Sequence, residues 1–191
     1  MLALVSMALG ILLGRLRGGS LRRLGEAPFR GLVLIYTGLA VQAAVRLLPA
    51  DLTRHLGPLL PFLYRATLVM GLLFIWSNRR LGPATRFIFT GVAANLAVIA
   101  ANGGRMPVLV AAARNLGYDR LVQVLQAGTS LTHQALIPGA TKLALLADVF
   151  SLPALRFAGV FSIGDIILVP GVVWLTVQLM GGCSRPSKVL E

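Results

Sequence analysis

Five apolar stretches, free or nearly free of charge, alternate with polar connections along this chain, and their lengths set the first expectation. A helix crosses a hydrocarbon core of about 30 Å with about 20 apolar residues, and about 17 are tolerated. The pattern predicts spans near 1–14, 31–48, 59–76, 87–101 and 166–182. The first is short, but Arg15 and Arg17 follow it rather than precede it, whereas a cleavable signal peptide carries its basic residues in front. A retained first helix is therefore expected, with both arginines snorkelling to the interface.

The polar breaks between the runs refine this picture. Pro49, Asp51, Thr53, Arg54 and His55 mark a turn after the second span, and Trp76 is an aromatic suited to the interface at the end of the third. Arg65 falls inside the third span. It reads either as a buried cation in a pathway or as a long side chain reaching the headgroups. The fourth span carries Gly91, Ala93, Ala94, Ala97 and Ala100, small residues that let helices approach closely in lipid. Pro170 and Gly171 interrupt the fifth and predict a kink.

Charge gives an orientation. Arg15, Arg17, Arg22, Arg23 and Arg30 fall in one connection and Arg79, Arg80 and Arg86 in another, and basic residues collect in cytoplasmic loops. The expected topology puts the N-terminus, the Asp51 turn and the long 102–159 region outside and the C-terminal tail inside. That long region also carries Arg105, Arg114, Arg120, Lys142 and Arg156, but long translocated segments are largely exempt from the rule.

Composition agrees. At 57% hydrophobic and 13% charged, the 191 residues offer too little polar surface to coat a soluble globule. A net charge of +12 raises nucleic acid as a partner, but a nucleic-acid reader needs one continuous basic face, and here the charges sit between apolar runs. Anionic headgroups are the expected electrostatic partner, at roughly 1 kcal/mol per Lys or Arg. Cys183 is the lone cysteine, so no disulfide and no thiolate metal site can be built from this chain alone. It reads as a free thiol or a lipidated juxtamembrane one.

A repeat is also discernible. Arg22-Arg23-Leu24-Gly25 precedes Thr37-Gly38 and Gln42, and Arg79-Arg80-Leu81-Gly82 precedes Thr90-Gly91 and Asn95. As parallel hairpin repeats, these would make Gln42 and Asn95 equivalent intramembrane polar positions. Each carboxamide should turn inward, as glue between helices or as a transported solute's contact.

The candidate chemistry clusters after the fourth span. Gly91, Asn95, Val98 and Asn102 share one helical stripe. Asn102, Gly103, Gly104 and Arg105 then read either as a plain helix stop or as a seat for a carboxylate or phosphate. Ser162 and Asp165 form a Ser-x-x-Asp pattern that can cap the fifth helix. Asp165 or Asp148 could instead pair with Arg105. His133 with Asp148 is the sole combination fit for general acid and base work, and an isolated loop histidine is more often polar filler. Between Pro107 and Gln126 two short helices separated by Gly117 are expected, the first beginning at the proline, too apolar for water and so lying along the interface or re-entering the bundle. The segment 129–153 would extend this cover, with Pro138-Gly139 as a turn.

Asn102 to Pro107, Leu146-Ala147-Asp148 and Val160-Phe161-Ser162-Ile163-Gly164-Asp165, in this order and spacing, resemble a bacterial membrane family known as domain of unknown function 5317. The resemblance spans nearly the whole chain and implies a multi-span membrane protein with no assigned activity. The family pattern is more polar and acidic between the His and Leu-x-Asp positions, whereas Ala135 to Leu146 is mostly apolar here.

These readings converge on an all-α polytopic bundle of about five spans. A four-span unit would cover 1–101, an extracytoplasmic or re-entrant helical region 102–159, and a fifth span with a cytoplasmic tail 160–191. The expected function is non-catalytic handling of a ligand or lipid, or partner association, at the outer face, through Asn102, Gly103, Gly104, Arg105, Asp148 and Asp165. The alternatives are an enzyme using His133 and Asp148 or a small-solute transporter lined by Gln42 and Asn95. Expected partners are membrane lipids, an anionic small molecule or headgroup, and a second copy or another membrane protein. No cofactor is called for.

Overall fold

A computed structural model describes residues 2–49, 52, 55–57 and 59–181. The turn residues Asp51, Thr53 and Arg54, and the tail with Cys183, lie outside the described residues. Helices α1 (Leu2–Leu16), α2 (Leu21–Gly25), α3 (Leu32–Leu47), α4 (Leu60–Ser77) and α5 (Ala84–Ala101) come first. Strand β1 (Met106–Val108), helices α6 (Val110–Asn115) and α7 (Asp119–Gln126), strand β2 (His133–Ala135) and the long α8 (Ile163–Gly181) follow.

Length separates two kinds of apolar helix. At 1.5 Å per residue, the 18, 18 and 19 residues of α4, α5 and α8 extend about 27–29 Å, close to a hydrocarbon core. The 15 and 16 residues of α1 and α3 reach only about 22–24 Å. Among the described residues, three helices are thus long and apolar enough to cross a membrane, and α1 and α3 are shorter apolar helices.

The side chains are arranged for an apolar solvent. Large ones point outward, with Phe62, Leu73 and Trp174 60%, 50% and 46% exposed, while Ser6, Gly10 and Gly14 are the buried positions of α1. Lipid tails give helices no hydrophobic reason to associate, so close backbone approach and dispersion must do it. α5 meets α8 in this way: a Cβ on Gly91 would lie 2.4 Å from the Gly164 carbonyl oxygen. Gly10 against Thr176 and Gly14 against Met180 bring α1 equally near α8. The helix α8 runs through Pro170 without a break, and Gly171 lies against Phe87 and Ile88 of α5.

The bundle is a curved row in the order α3, α4, α5, α8, α1. Its two ends, α1 and α3, do not pack on each other as neighbours, whereas α4 and α5 do. The two halves of the sequence repeat therefore do not form matching packed hairpins. Gln42 bonds α3 to α4 through Thr67, at 3.0 Å, while Asn95 bonds α5 to α8.

Both arginine connections lie at one end of the row. Arg23 Nη1 donates to the Gly181 carbonyl at 3.0 Å, and Gln178 Nε2 donates to that of Leu81 at 2.9 Å. Asn78, 4% exposed, accepts from the Arg30 N–H and donates to the Arg30 carbonyl, both at 2.8 Å, fastening the entry to α3 onto the end of α4.

The other end departs from the all-α expectation. Residues 106–108, expected to open a helix at Pro107, form instead a buried strand paired in parallel with β2, in the register Met106 to His133 and Val108 to Ala135. Asp148 bridges Val108 on the opposite edge. Proline is tolerated at the centre of β1 because residue 107 contributes only its carbonyl, which accepts from the Asp148 N–H at 2.9 Å. The two short helices appear as expected on either side of Gly117, which has a φ of +71°. However, α7 presents Asp119, Arg120, Gln123 and Gln126 outward, so its outer face is polar and not apolar.

Candidate functional site

The polar residues singled out in the sequence are largely committed to one another. Ser162 caps α8: its Oγ accepts from the Asp165 N–H at 3.2 Å, and Asp165 Oδ2 accepts from the Ser162 N–H at 3.1 Å. This reciprocal pair occupies amides that the first turn cannot satisfy internally. Asn95 joins it from α5, donating to Asp165 Oδ1 at 3.1 Å and accepting from Ser162 Oγ at 2.8 Å. The Gly91–Gly164 contact makes this possible, since a Cβ on Gly164 would lie 2.1 Å from Asn95 Oδ1.

Asn102 is equally engaged. Its amide donates to the carbonyls of Val98 and Lys142 at 2.7 and 2.8 Å and accepts from the Lys142 N–H at 3.0 Å. Gly103 and Gly104, at φ of +70° and +89°, turn the chain back so that the Gly104 N–H reaches the Ile99 carbonyl at 2.8 Å, a helix stop. Arg65 folds onto its own first turn, its Nε donating to the Pro61 carbonyl at 3.3 Å beside Gly104. Arg105 forms no ion pair with Asp148 or Asp165; among the described residues the one ion pair is Arg22 with Glu26, at 2.7 Å on the surface.

Asp148 is the least settled group at this end. It is 9% exposed, its carboxyl has no hydrogen-bond partner among the described residues, and burial pushes its pKa up to about 8, with the Asp165 carboxylate adding to the shift. His133 bonds Thr132 through Nδ1 at 2.8 Å, and burial lowers its pKa. The two flank opposite edges of β1 out of register, about 12 Å apart at Cα by sheet geometry, and share no hydrogen bond.

A large hollow lies toward the opposite end. About 520 Å³ in volume and partly open, it is bordered by the row, with Met7 of α1, Ile35 of α3, Leu68 of α4, Val92 of α5 and Leu175 of α8 on its walls. Its few polar side chains are already bonded: Asn78 as above, Thr67 Oγ1 to the Tyr64 carbonyl at 2.8 Å, Thr85 Oγ1 to the Gly82 carbonyl at 2.7 Å, and Thr176 Oγ1 to that of Val172 at 2.8 Å. A space of this size falls within the roughly 300–1,000 Å³ usual for small-molecule sites. Its walls offer almost nothing for water to bond. Because α1 and α3 are not packed together, the row leaves a side gap between them.

Sequence reasoning missed this hollow, because a void belongs to the arrangement of helices and not to any one of them. It did miss one available signal: Asn78, a carboxamide two residues beyond the third apolar run, marks the clamp that closes one end. A smaller cavity of about 50 Å³ beside Gln42 does not extend to Asn95, so no described cavity is lined by both carboxamides. No group of three or more His, Cys, Asp or Glu that could hold a metal occurs among the described residues.

Against known proteins, no curated protein and no solved structure matches the chain. The family of unknown function DUF5317 matches residues 26–177, a stretch that takes in α3, α4, α5 and most of α8 together with the β1–β2 ladder and the Asn95–Ser162–Asp165 cluster. The chain belongs to that family.

Proposed function

We propose that this protein is an integral membrane protein that holds the acyl chain of a lipid in the hollow between α1, α3, α4, α5 and α8, and that it binds rather than catalyses. The observation that carries this reading is the hollow of about 520 Å³ with apolar walls in a bundle where α8 touches α1 and α5 closely through glycine. Dispersion is the main force between helices in lipid, and an empty space forfeits it. A chain entering through the gap between α1 and α3 restores those contacts; water would not. The charge rule puts the arginine end in the cytoplasm, so the chain comes from the inner leaflet. The bonding of Asn102 and the separation of His133 from Asp148 favour this place over the other end.

Gly71 supplies the test. It lines the hollow, and a Cβ built there meets nothing within 4 Å, so a leucine side chain starts into open space and takes up room that a chain would use. Replacing a mid-helix glycine also gains about 1 kcal/mol of helix propensity. Native mass spectrometry of the purified full chain is expected to find one lipid surviving delipidation in the wild type and none in Gly71→Leu, with thermal stability equal or higher. Equal lipid retention by both proteins would remove the basis of this reading.

A further inference from the structure

An acyl chain leaving a bilayer for an apolar hollow gains no hydrophobic free energy, because its surroundings are apolar before and after. Selection among lipids must therefore come from the headgroup. Next to the hollow lies a second recess of about 300 Å³, and the two share Asn78 and Leu179 in their walls. Arg30 and Arg80 line it, and no acidic residue does. Neither guanidinium has a hydrogen-bond or ion-pair partner among the described residues. Three of the arginines in the same connections are engaged: Arg22 with Glu26, Arg23 with the Gly181 carbonyl, and Arg79 with Trp76, its guanidinium 4.7 Å from the ring centre and its Nη1 3.0 Å from the carbonyl.

We propose that the bound lipid is an anionic glycerophospholipid, its phosphate held between Arg30 and Arg80 while one chain runs into the adjoining hollow. This rests on the acyl-chain reading above and adds to it the headgroup class. Guanidinium forks match phosphate oxygens in pairs, and both are left free where the apolar space meets the basic end. The clamp of Asn78 on the Arg30 backbone holds one of the two in place.

The test titrates the full chain with dioleoyl phosphatidylglycerol and dioleoyl phosphatidylcholine by native mass spectrometry. At about 1 kcal/mol for each arginine, the wild type is expected to prefer the glycerol lipid by about 30-fold. The pair Arg30→Gln and Arg80→Gln should erase that preference, weakening phosphatidylglycerol far more than phosphatidylcholine, whose phosphate meets the same two groups but whose choline cancels its charge. Arg114→Gln with Arg120→Gln, a matched loss of charge on exposed positions at the other end, should keep it. An unaltered preference in the first pair, an equal loss in the second, or displacement of the lipid by millimolar inorganic phosphate would each overturn the proposal. Gly71→Leu separates the two readings, since it should weaken both lipids alike; if it weakens neither while the arginine pair still abolishes the preference, the headgroup seat stands and the chain site fails.

Discussion

The two ends of this bundle use close packing in opposite ways. At the end where α5 meets α8, Val98, Ile99 and Met106 form a filled core, and Asn95, Ser162 and Asp165 satisfy one another. At the arginine end α5 and α8 stay in contact, with Gly171 against Phe87 and Ile88, but the five apolar helices together border an apolar hollow, and the guanidinium groups of Arg30 and Arg80 beside it are unpaired among the described residues. Polar residues that attract attention in a membrane sequence can thus be fully occupied in holding helices together. Ligand capacity then lies where apolar walls fail to meet. The glycines make the contrast measurable: a Cβ on Gly164 collides with its neighbours, and one on Gly71 meets nothing within 4 Å.

The largest expected effect comes from filling the tight end. In Gly164→Leu the new Cβ would fall 2.1 Å from Asn95 Oδ1 and 2.8 Å from the Gly91 carbonyl oxygen. The second of these is backbone and cannot swing aside. Overpacking of this kind costs about 1–3 kcal/mol, and displaced Asn95 would also lose its bonds to Asp165 and Ser162. A melting temperature lower by roughly 6–12 °C is expected for about 3 kcal/mol in a chain of this size. Gly71→Leu, an identical exchange elsewhere, should not lower it. Equal destabilisation by both would mean that the two ends do not differ in packing as described.

How much of this could be read beforehand follows the range of the interactions. The helices from α3 to α8 were legible within a few residues, because an apolar run between polar breaks is a local signal. The Ser162–Asp165 cap was legible for the same reason, and the inward turn of Asn95 followed from the cost of an amide facing lipid. The span count did not follow from composition alone, since α1 and α3 are apolar enough but, at 15 and 16 residues, shorter than the three candidate spans. Nor was the β1–β2 ladder legible. Three-residue strands separated by two helices carry no periodicity, and Pro107 read as the first residue of a helix. The repeat predicted like roles for Gln42 and Asn95, but that depended on which helices pack together, and α1 packs on α8 instead of α3.

A second, intermediate effect sharpens the comparison through pH. The Asp148 carboxyl has a folded pKa of about 8, against about 3.9 in an unfolded chain. Between those values the folded chain retains a proton that the unfolded chain has released. The contribution is therefore fully present below pH 4, declines as pH rises, and is lost once pH passes 8. From pH 6 to 8 this amounts to about 2 kcal/mol, or roughly 5 °C in melting temperature. Asp148→Asn keeps the shape of the neutral acid and cannot ionise, so the difference between variant and wild type should grow with pH across that window. A constant difference would show that Asp148 does not carry the dependence. Lipid retention should be indifferent to this substitution, because the hollow shares no wall with Asp148.

The smallest effect is expected at Arg105, and its smallness is informative. The Asn102-Gly103-Gly104-Arg105 run has the residue types of an anion seat, and removing a guanidinium from such a seat would weaken an anionic ligand by a charged hydrogen bond, about 1.5–3 kcal/mol. In the fold, however, Asn102 is bonded at both ends of its amide to the backbone of Lys142 and to Val98, and the glycines turn the chain into β1. Arg105 has no acidic partner to lose. Arg105→Ala should therefore leave stability within about 0.5 kcal/mol of the wild type and leave the phosphatidylglycerol preference intact. If instead Arg105→Ala abolishes that preference and the Arg30 and Arg80 pair does not, the anionic headgroup belongs at the well-packed end, and the functional assignment of the two ends must be exchanged.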